Sequence, residues 1–132
     1  MSDVPHSDDV IGPEEREAVT TELLGQAERL DREIEAADEA EARLRADCEL
    51  DAADSGAKSA AQDQLRNQAR QARLHLEHTV TALGRLRDGT FGICTACSRP
   101  IGRERVMAVP TAELCLACRR RREADGSRSA EG

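Results

Sequence analysis

Apolar residues recur at helical spacing through the first two thirds of the chain. A helix is predicted to begin at Pro13, because proline suits the first turn of a helix and carboxylates follow it directly. From there the apolar residues are three, four or seven positions apart, at Val19, Leu23, Ala27, Leu30, Ile34, Ala37, Leu44 and Cys48. Glu41 takes one position of this seam. The spacing predicts one long helix with a narrow apolar face.

A second helix is predicted from about residue 58 to Asp88. The turn-forming segment 51–56 interrupts the first pattern, and Ser59 with Gln62 forms a candidate capping box. The apolar spacing then resumes at Ala61, Leu65, Ala72, Leu76, Leu83 and Leu86. Two long helices joined by a short turn must pack antiparallel. Residues 13–88 are therefore predicted to form a coiled-coil hairpin with an acidic tip at 51–56, and residues 1–12 are predicted to be a disordered tail.

The composition favours such a mainly α fold over a compact enzyme. Of the 132 residues 39% are apolar and 34% charged, and Phe91 is the one aromatic residue. The side chains that usually fill a large core are thus mostly missing, and a hairpin seam rich in alanine buries little area. We therefore expect a binding protein, anchored by a further element at the base of the hairpin. No segment has the pattern of a membrane span or a secretion signal, so a cytoplasmic protein is expected. We also expect it to be a monomer.

The charges are unevenly distributed around the net charge of −7. Residues 1–56 contain 18 Asp and Glu against 5 Arg, a net −13, whereas residues 57–132 contain 14 Lys and Arg against 8 Asp and Glu, a net +6. The acidic half disfavours broad binding to nucleic acid, since phosphates would be repelled, and favours a protein partner with a basic surface. The run Arg119–Arg122 is either a solvated segment or a contact surface, and the sequence leaves both readings open.

Four of the five cysteines have the spacing of a structural zinc site. Cys94 and Cys97 form one C-x2-C pair, Cys115 and Cys118 form a second, and 17 residues separate the two pairs. Four thiolates satisfy tetrahedral zinc and leave no position for a water molecule, which predicts a structural ion in a finger over residues 89–122. A disulfide or redox pair is the rival interpretation. Cys48 is expected to be a small buried residue of the helix seam, and residues 123–132 are expected to be a second disordered tail.

The residues around these cysteines carry a specific resemblance. The run from Gly89 to Cys97 reads GTFGICTAC, and Pro110 to Cys118 reads PTAELCLAC, with Ile101-Gly102 and Arg105 between them. This pattern closely resembles the zinc-finger signature of the DksA/TraR family. In that family a coiled-coil hairpin precedes the finger and carries an Asp-x-x-Asp-x-Ala motif at its tip. Here Asp51, Asp54 and Gly56 occupy those positions, with glycine in place of the alanine.

The resemblance implies a bacterial transcription regulator that binds RNA polymerase directly and makes no sequence-specific DNA contact. Such a protein inserts its hairpin into the secondary channel of the polymerase, where the tip acids destabilise open complexes and alter initiation. Asp51 and Asp54 inherit that role by position, and Gly56 is expected to loosen the tip. The family's effector of the stringent response, guanosine tetraphosphate, is a candidate ligand. The family's nucleotide-contacting positions align with His78, Val109 and Arg119, of which Arg119 keeps the firmly basic character, so a weakened dependence on the nucleotide is expected.

Two other functions remain open at the level of sequence. The tip carboxylates could hold a Mg²⁺ ion and stimulate transcript cleavage by the polymerase, as a similarly shaped class of factors does. Alternatively, the finger could be a nucleic-acid-binding zinc ribbon that uses the run Arg119–Arg122. The acidic first half and the lack of aromatic side chains for base stacking count against the second alternative.

Overall fold

A computed structural model describes residues 11–50 and 55–131 of the chain. Its helices are α1 (Pro13–Leu50), α2 (Ser55–Asp88), α3 (Arg103–Ala108) and α4 (Leu116–Glu131). Over the described residues the structure has no β-strand, although an isolated antiparallel bridge joins Ile93 to Pro100. The mainly α fold predicted from the sequence, two long helices followed by a small cysteine-rich element, is confirmed. No helix in the described part of the chain is long and apolar enough to span a membrane.

The chain divides into two compact units. One consists of residues 24–80, and the other combines residues 1–23 with residues 81–132. The 24–80 unit is a pair of helical segments whose buried side chains are few and mostly small, namely Leu30, Ala69, Ala72 and Thr79. Thr79 is fully buried, and its hydroxyl donates a 2.8 Å hydrogen bond to the carbonyl of His75, which satisfies it within its own helix. Alanines allow the two helices to approach closely but bury little apolar area.

Ion pairs between α1 and α2 show that the two segments of the 24–80 unit are antiparallel. Arg73 pairs with Asp38 at 2.9 Å, and Arg66, earlier in α2, pairs with Glu41, later in α1, at 2.6 Å. Glu41 also accepts a 2.9 Å hydrogen bond from Arg45 one turn further along α1. The hydrogen bond from Arg66 is the main cause of the lowered pKa of Glu41. Partial burial of the carboxylate acts in the opposite direction and raises the pKa. Glu41, the acidic residue at a seam position of α1, is therefore paired with a cation, Arg66, on α2.

The second unit has the largest apolar core of the described chain. Val19 and Leu23 from α1 pack with Ala82 and Leu86 from α2, and, besides Ile11, the segments that follow α2 contribute the rest of the cluster. Those further residues are Phe91, Cys94, Ile101, Val106 and Leu114. The single aromatic side chain thus lies where the helices meet the cysteine-rich element, and one of the cysteines belongs to the core itself.

Three sequence predictions about the helix ends need correction. Ile11 is buried in the core, and the backbone N–H of Gly12 donates a 3.1 Å hydrogen bond to the Glu15 carboxylate, so these two residues of the predicted tail belong to the folded structure. Helix α2 begins at Ser55 instead of near residue 58, because alanines and Lys58 extend it, and Ser59 is therefore no cap. The segment predicted to be a disordered tail from residue 123 is helical through Glu131, and an ion pair between Arg119 and Glu123, one turn apart, supports the start of this extension. Residues 1–10 lie outside the described chain.

Replacing Glu41 by glutamine is expected to lower the thermal midpoint, because Arg66 and Arg45 lose their shared carboxylate. The pKa of Glu41 is lower in the folded protein, so this stabilisation is present at neutral pH and is lost as the pH falls below 4.5 through the folded pKa. Thermal unfolding followed by circular dichroism at neutral and acidic pH measures the difference. Glu39→Gln is the matched control, since Glu39 is 71% exposed and pairs with Arg43 at 3.8 Å. Equal losses in the two variants would contradict the assignment.

Candidate metal centre

The first cysteine pair lies in a tight turn whose backbone bonds to itself. The N–H of Cys94 donates a 2.7 Å hydrogen bond to the carbonyl of Arg99, and the N–H of Ser98 donates a 2.9 Å bond to the carbonyl of Cys94. Ser98 has a φ of 63° and Gly92 a φ of 83°, both in the left-handed region that reverses the chain direction. The turn therefore holds the Cys94 and Cys97 side chains on one side of the chain.

The second cysteine pair lies at the start of α4. Cys115 directly precedes the helix, and its carbonyl accepts a 2.9 Å hydrogen bond from the N–H of Arg119, while Cys118 lies in the first turn. The N–H of Thr95 bonds to the carbonyl of Glu113 at 2.9 Å, which joins the first turn to the segment that leads into α4. Residues 18 or more positions apart are thus brought to one site by backbone hydrogen bonds.

The four sulfurs form a cluster of the size that one zinc ion requires. All four Sγ atoms lie within 4.8 Å of one another, and those of Cys97 and Cys115 are 3.8 Å apart. A tetrahedron with Zn–S bonds of about 2.3 Å separates its sulfurs by about 3.8 Å. Cys94 is buried and Cys97 exposed, so the site lies at the edge of the core. The arrangement fits a structural ion with four protein ligands, as the sequence spacing predicts.

The thiol pKa values show why a cation belongs in this cluster. Burial acts to raise the pKa of Cys94, but hydrogen bonds from the backbone at Cys115, Cys97 and Ala96 outweigh it and lower the pKa to about 6. A backbone hydrogen bond from Cys118 likewise lowers the pKa of Cys115. The side chain of Cys115, with burial, raises the pKa of Cys118 to about 12. The backbone thus favours the first thiolates, and the last thiol needs a bound cation to ionise.

Arg85 connects helix α2 to this finger by hydrogen bonds. From the last turn of the helix it donates hydrogen bonds to three carbonyls of the finger, those of Thr90 at 3.1 Å, Ala112 at 3.4 Å and Ile93. The Arg85 carbonyl accepts bonds from the N–H groups of Thr90 and Phe91, which end the helix. Sequence reasoning missed this residue, because an arginine in a last helical turn is ordinarily explained by the helix dipole. Arg105 acts similarly, donating a 3.2 Å bond to the carbonyl of Leu114.

The other residues singled out in the sequence are spread over both units. Asp51 and Asp54 lie outside the described residues, as does the side chain of Cys48, whereas Gly56 is exposed at the start of α2 with open space around its Cα. Arg119 is exposed and pairs with Glu123 at 3.1 Å. The remaining arginines of the run 119–122 are exposed on α4. The described structure therefore brings together the four cysteines but does not place the tip acids.

A helical chain with a four-cysteine structural metal site defines a zinc-finger protein, and comparison with known proteins specifies the class. Residues 89–124 match the family model described as "Prokaryotic dksA/traR C4-type zinc finger". Two relatives named RNA polymerase-binding transcription factor DksA, both from Buchnera aphidicola, match the chain. The relative from the subspecies Acyrthosiphon pisum is 40% identical over 55 residues, and that from the subspecies Schizaphis graminum is 38% identical over 56 residues. Each match covers 42% of this chain and 36% of the relative.

The fold as a whole is also similar to a solved structure. The transcription factor DksA2 from Pseudomonas aeruginosa superposes with a TM-score of 0.77 at 25% identity, covering 87% of this chain and 88% of that one. The family model shows that residues 89–124 form a zinc finger of the dksA/traR C4 type, and the likeness in fold to DksA2 extends over most of the chain. Zinc is therefore the metal that the four cysteines hold, which confirms the cofactor predicted from the sequence.

Removal of zinc is expected to unfold the finger, because four thiols cannot ionise together without the ion and Cys94 belongs to the core. Zinc binding to such sites supplies on the order of 10 kcal/mol of folding free energy at neutral pH. A chelator should lower the helix content seen by circular dichroism, and added zinc should restore it. Metal analysis should find one zinc per chain, retained in Cys48→Ser and lost in Cys118→Ser. An unchanged spectrum after verified metal removal would refute a structural role.

Replacing Arg85 by methionine is expected to destabilise the protein by about 2 kcal/mol, since bonds from a charged donor to three finger carbonyls are lost. Chemical denaturation of the zinc-loaded protein measures the change. Arg87→Met is the matched control, because Arg87 is two residues away in α2, is 79% exposed and pairs with its neighbour Asp88. A loss as large in the control would show that helix charge, and not the carbonyl contacts, is responsible.

Proposed function

We propose that the protein regulates transcription by binding RNA polymerase directly, with its helical hairpin entering the secondary channel. The observation that carries this proposal is the likeness in fold to DksA2 over most of both chains, together with a finger of the matching family. Two relatives carry RNA polymerase-binding in their names, although they match over little more than a third of their length. In this proposal the protein is a binding factor without enzymatic activity of its own.

The composition of the 24–80 unit supports a role in which it presents contact residues to a partner protein. Few side chains are buried between its helices, which are also joined by ion pairs. The unit contains no aromatic side chain that could line a large pocket, since Phe91, the one aromatic residue of the chain, lies outside it. What such a unit can do is deliver the residues that join its two helices to a recessed site. Those residues, 51–54, include both tip acids. Asp51 and Asp54 would act there on the polymerase near its catalytic centre and shorten the lifetime of open complexes.

The same proposal assigns secondary roles to Gly56 and Arg119. Gly56 is a helical residue without a side chain, so it lowers the helix stability next to the tip relative to alanine. Arg119 is the basic candidate for a contact with guanosine tetraphosphate or the polymerase, and its exposure leaves it accessible while Glu123 partly neutralises it. His78 is exposed and Val109 is apolar, which favours a weak dependence on the nucleotide.

Open-complex lifetime on a ribosomal-type promoter tests the proposal. The zinc-loaded protein is expected to shorten the lifetime with its cognate polymerase, and Asp54→Asn is expected to abolish that effect while leaving polymerase binding intact. Asp63→Asn is the matched control, because Asp63 is 70% exposed on α2 and makes a long 4.0 Å contact with Arg66. The control should behave like the unsubstituted protein.

The other outcomes separate the alternatives. Binding to polymerase with no change in open-complex lifetime would refute the proposed action of the tip acids. Competition for the secondary channel would then be the remaining mechanism. Shortened RNA in stalled elongation complexes, lost in Asp54→Asn, would show transcript cleavage instead. Binding to nucleic acid without polymerase, with a steep salt dependence, would indicate the zinc-ribbon alternative.

A further inference from the structure

The finger has an open groove that neither the zinc site nor the proposed tip contact uses. It lies beside α3 and the start of α4, and its walls include Ile101, Arg103, Arg105, Val109 and Leu116. Val109 is 44% exposed and Leu116 is 47% exposed, while Ile101 is buried at the base. Met107, which lies in α3 three residues after the wall residue Glu104, is a further exposed apolar side chain at 37%. Large apolar side chains concentrated at one exposed place indicate an interaction site.

Arginines surround this apolar strip. Arg120 follows Leu116 by four residues in α4 and therefore lies on the same face of that helix. Arg105 bonds to a carbonyl and keeps its charge, whereas Arg103 pairs with Glu15. Within the described chain neither Arg105 nor Arg120 has a carboxylate partner. The groove thus offers an apolar floor flanked by two guanidinium groups without a carboxylate partner, against one exposed carboxylate, that of Glu104, in its wall.

We propose that this groove docks an acidic, amphipathic segment of a protein partner. Apolar side chains of the segment would cover Val109 and Leu116, and its carboxylates would pair with Arg120 and Arg105. Charge complementarity selects an acidic partner, and the exposed aliphatic floor selects a partner with apolar side chains in place of a phosphate backbone. Nucleic acid fits poorly, because the single aromatic residue, Phe91, is 8% exposed and offers no stacking surface. The proposal is independent of the tip, so a failed tip experiment leaves it standing.

Methyl NMR gives a direct test, since the chain contains two methionines and Met107 is the one in the finger. The zinc-loaded full chain with labelled methionine methyl groups is titrated with a helical peptide of glutamates that has leucine at every third or fourth position. We expect a saturable shift of the Met107 signal. A peptide with lysine for glutamate, and one with serine for leucine, should bind at least about tenfold more weakly, since each loses one of the two complementary features.

Variants locate the site on the protein. Leu116→Ser and Arg120→Glu should each weaken binding of the acidic peptide at least about tenfold. Val109→Ser is a second variant that removes an apolar side chain from the groove, for use if Leu116→Ser loses zinc. Arg122→Glu is the matched control, because it removes the same charge two residues further along α4, on the opposite side of the helix. It should retain most of the binding.

Four results would overturn the proposal. The first is an acidic peptide that does not shift Met107. The second is a loss of binding in Arg122→Glu as large as in Arg120→Glu, which would indicate diffuse charge attraction. A single-stranded oligonucleotide that shifts Met107 more strongly than the peptide would assign the surface to nucleic acid. Self-association in sedimentation experiments that disappears in Leu116→Ser would make a second copy of this chain the occupant.

Discussion

The structure depends on the convergence of four cysteine sulfurs at one point. Four sulfurs within 4.8 Å cannot all be thiolates without a cation among them, and the protein has already arranged backbone N–H groups that stabilise the first of these charges. Because Cys94 is also a core residue, the metal site and the apolar core are one structure. The core is small and contains a single aromatic side chain, so its own burial contributes modestly. The ion therefore stabilises the packing that the apolar residues alone leave weak.

Helix α2 reaches this metal-bound core through Arg85 and Leu86, which act in different ways. Leu86 contributes apolar contact, whereas Arg85 satisfies three carbonyls of a segment that has hardly any regular secondary structure of its own. Irregular backbone is costly to bury unless its polar groups are paired, and a planar guanidinium can pair several carbonyls at once. In the 24–80 unit, ion pairs such as Glu41 with Arg66 fix the register of an alanine-rich seam. Exposed ion pairs add little stability, so their main contribution there is to select one pairing of the helices.

The sequence predicted the elements whose signal is local. Helical spacing gave both long helices, and the two C-x2-C pairs gave all four members of the cysteine cluster. It could not pair Glu41 with Arg66, since periodicity marks a charged seam position without showing which residue faces it. Nor could it distinguish Arg85 from Arg87, because two arginines of one helical turn look alike until the finger carbonyls are in place. Ile11 was missed for a related reason: a single apolar residue has no period, and its burial depends on a core assembled from distant segments.

A polymerase contact made through tip carboxylates alone would be weak. Exposed carboxylates lose their hydration on entering a protein site, and the attraction they gain there roughly offsets that loss. Acidic residues at a tip are thus suited to perturbing a charged site and poorly suited to supplying affinity. Affinity comes mainly from buried apolar side chains with a few well-placed arginines. In the described chain those features occur together on the finger, at Leu116, Val109 and Arg120. A regulator built in this way would divide its work, with the finger providing binding energy and the acidic tip altering the partner.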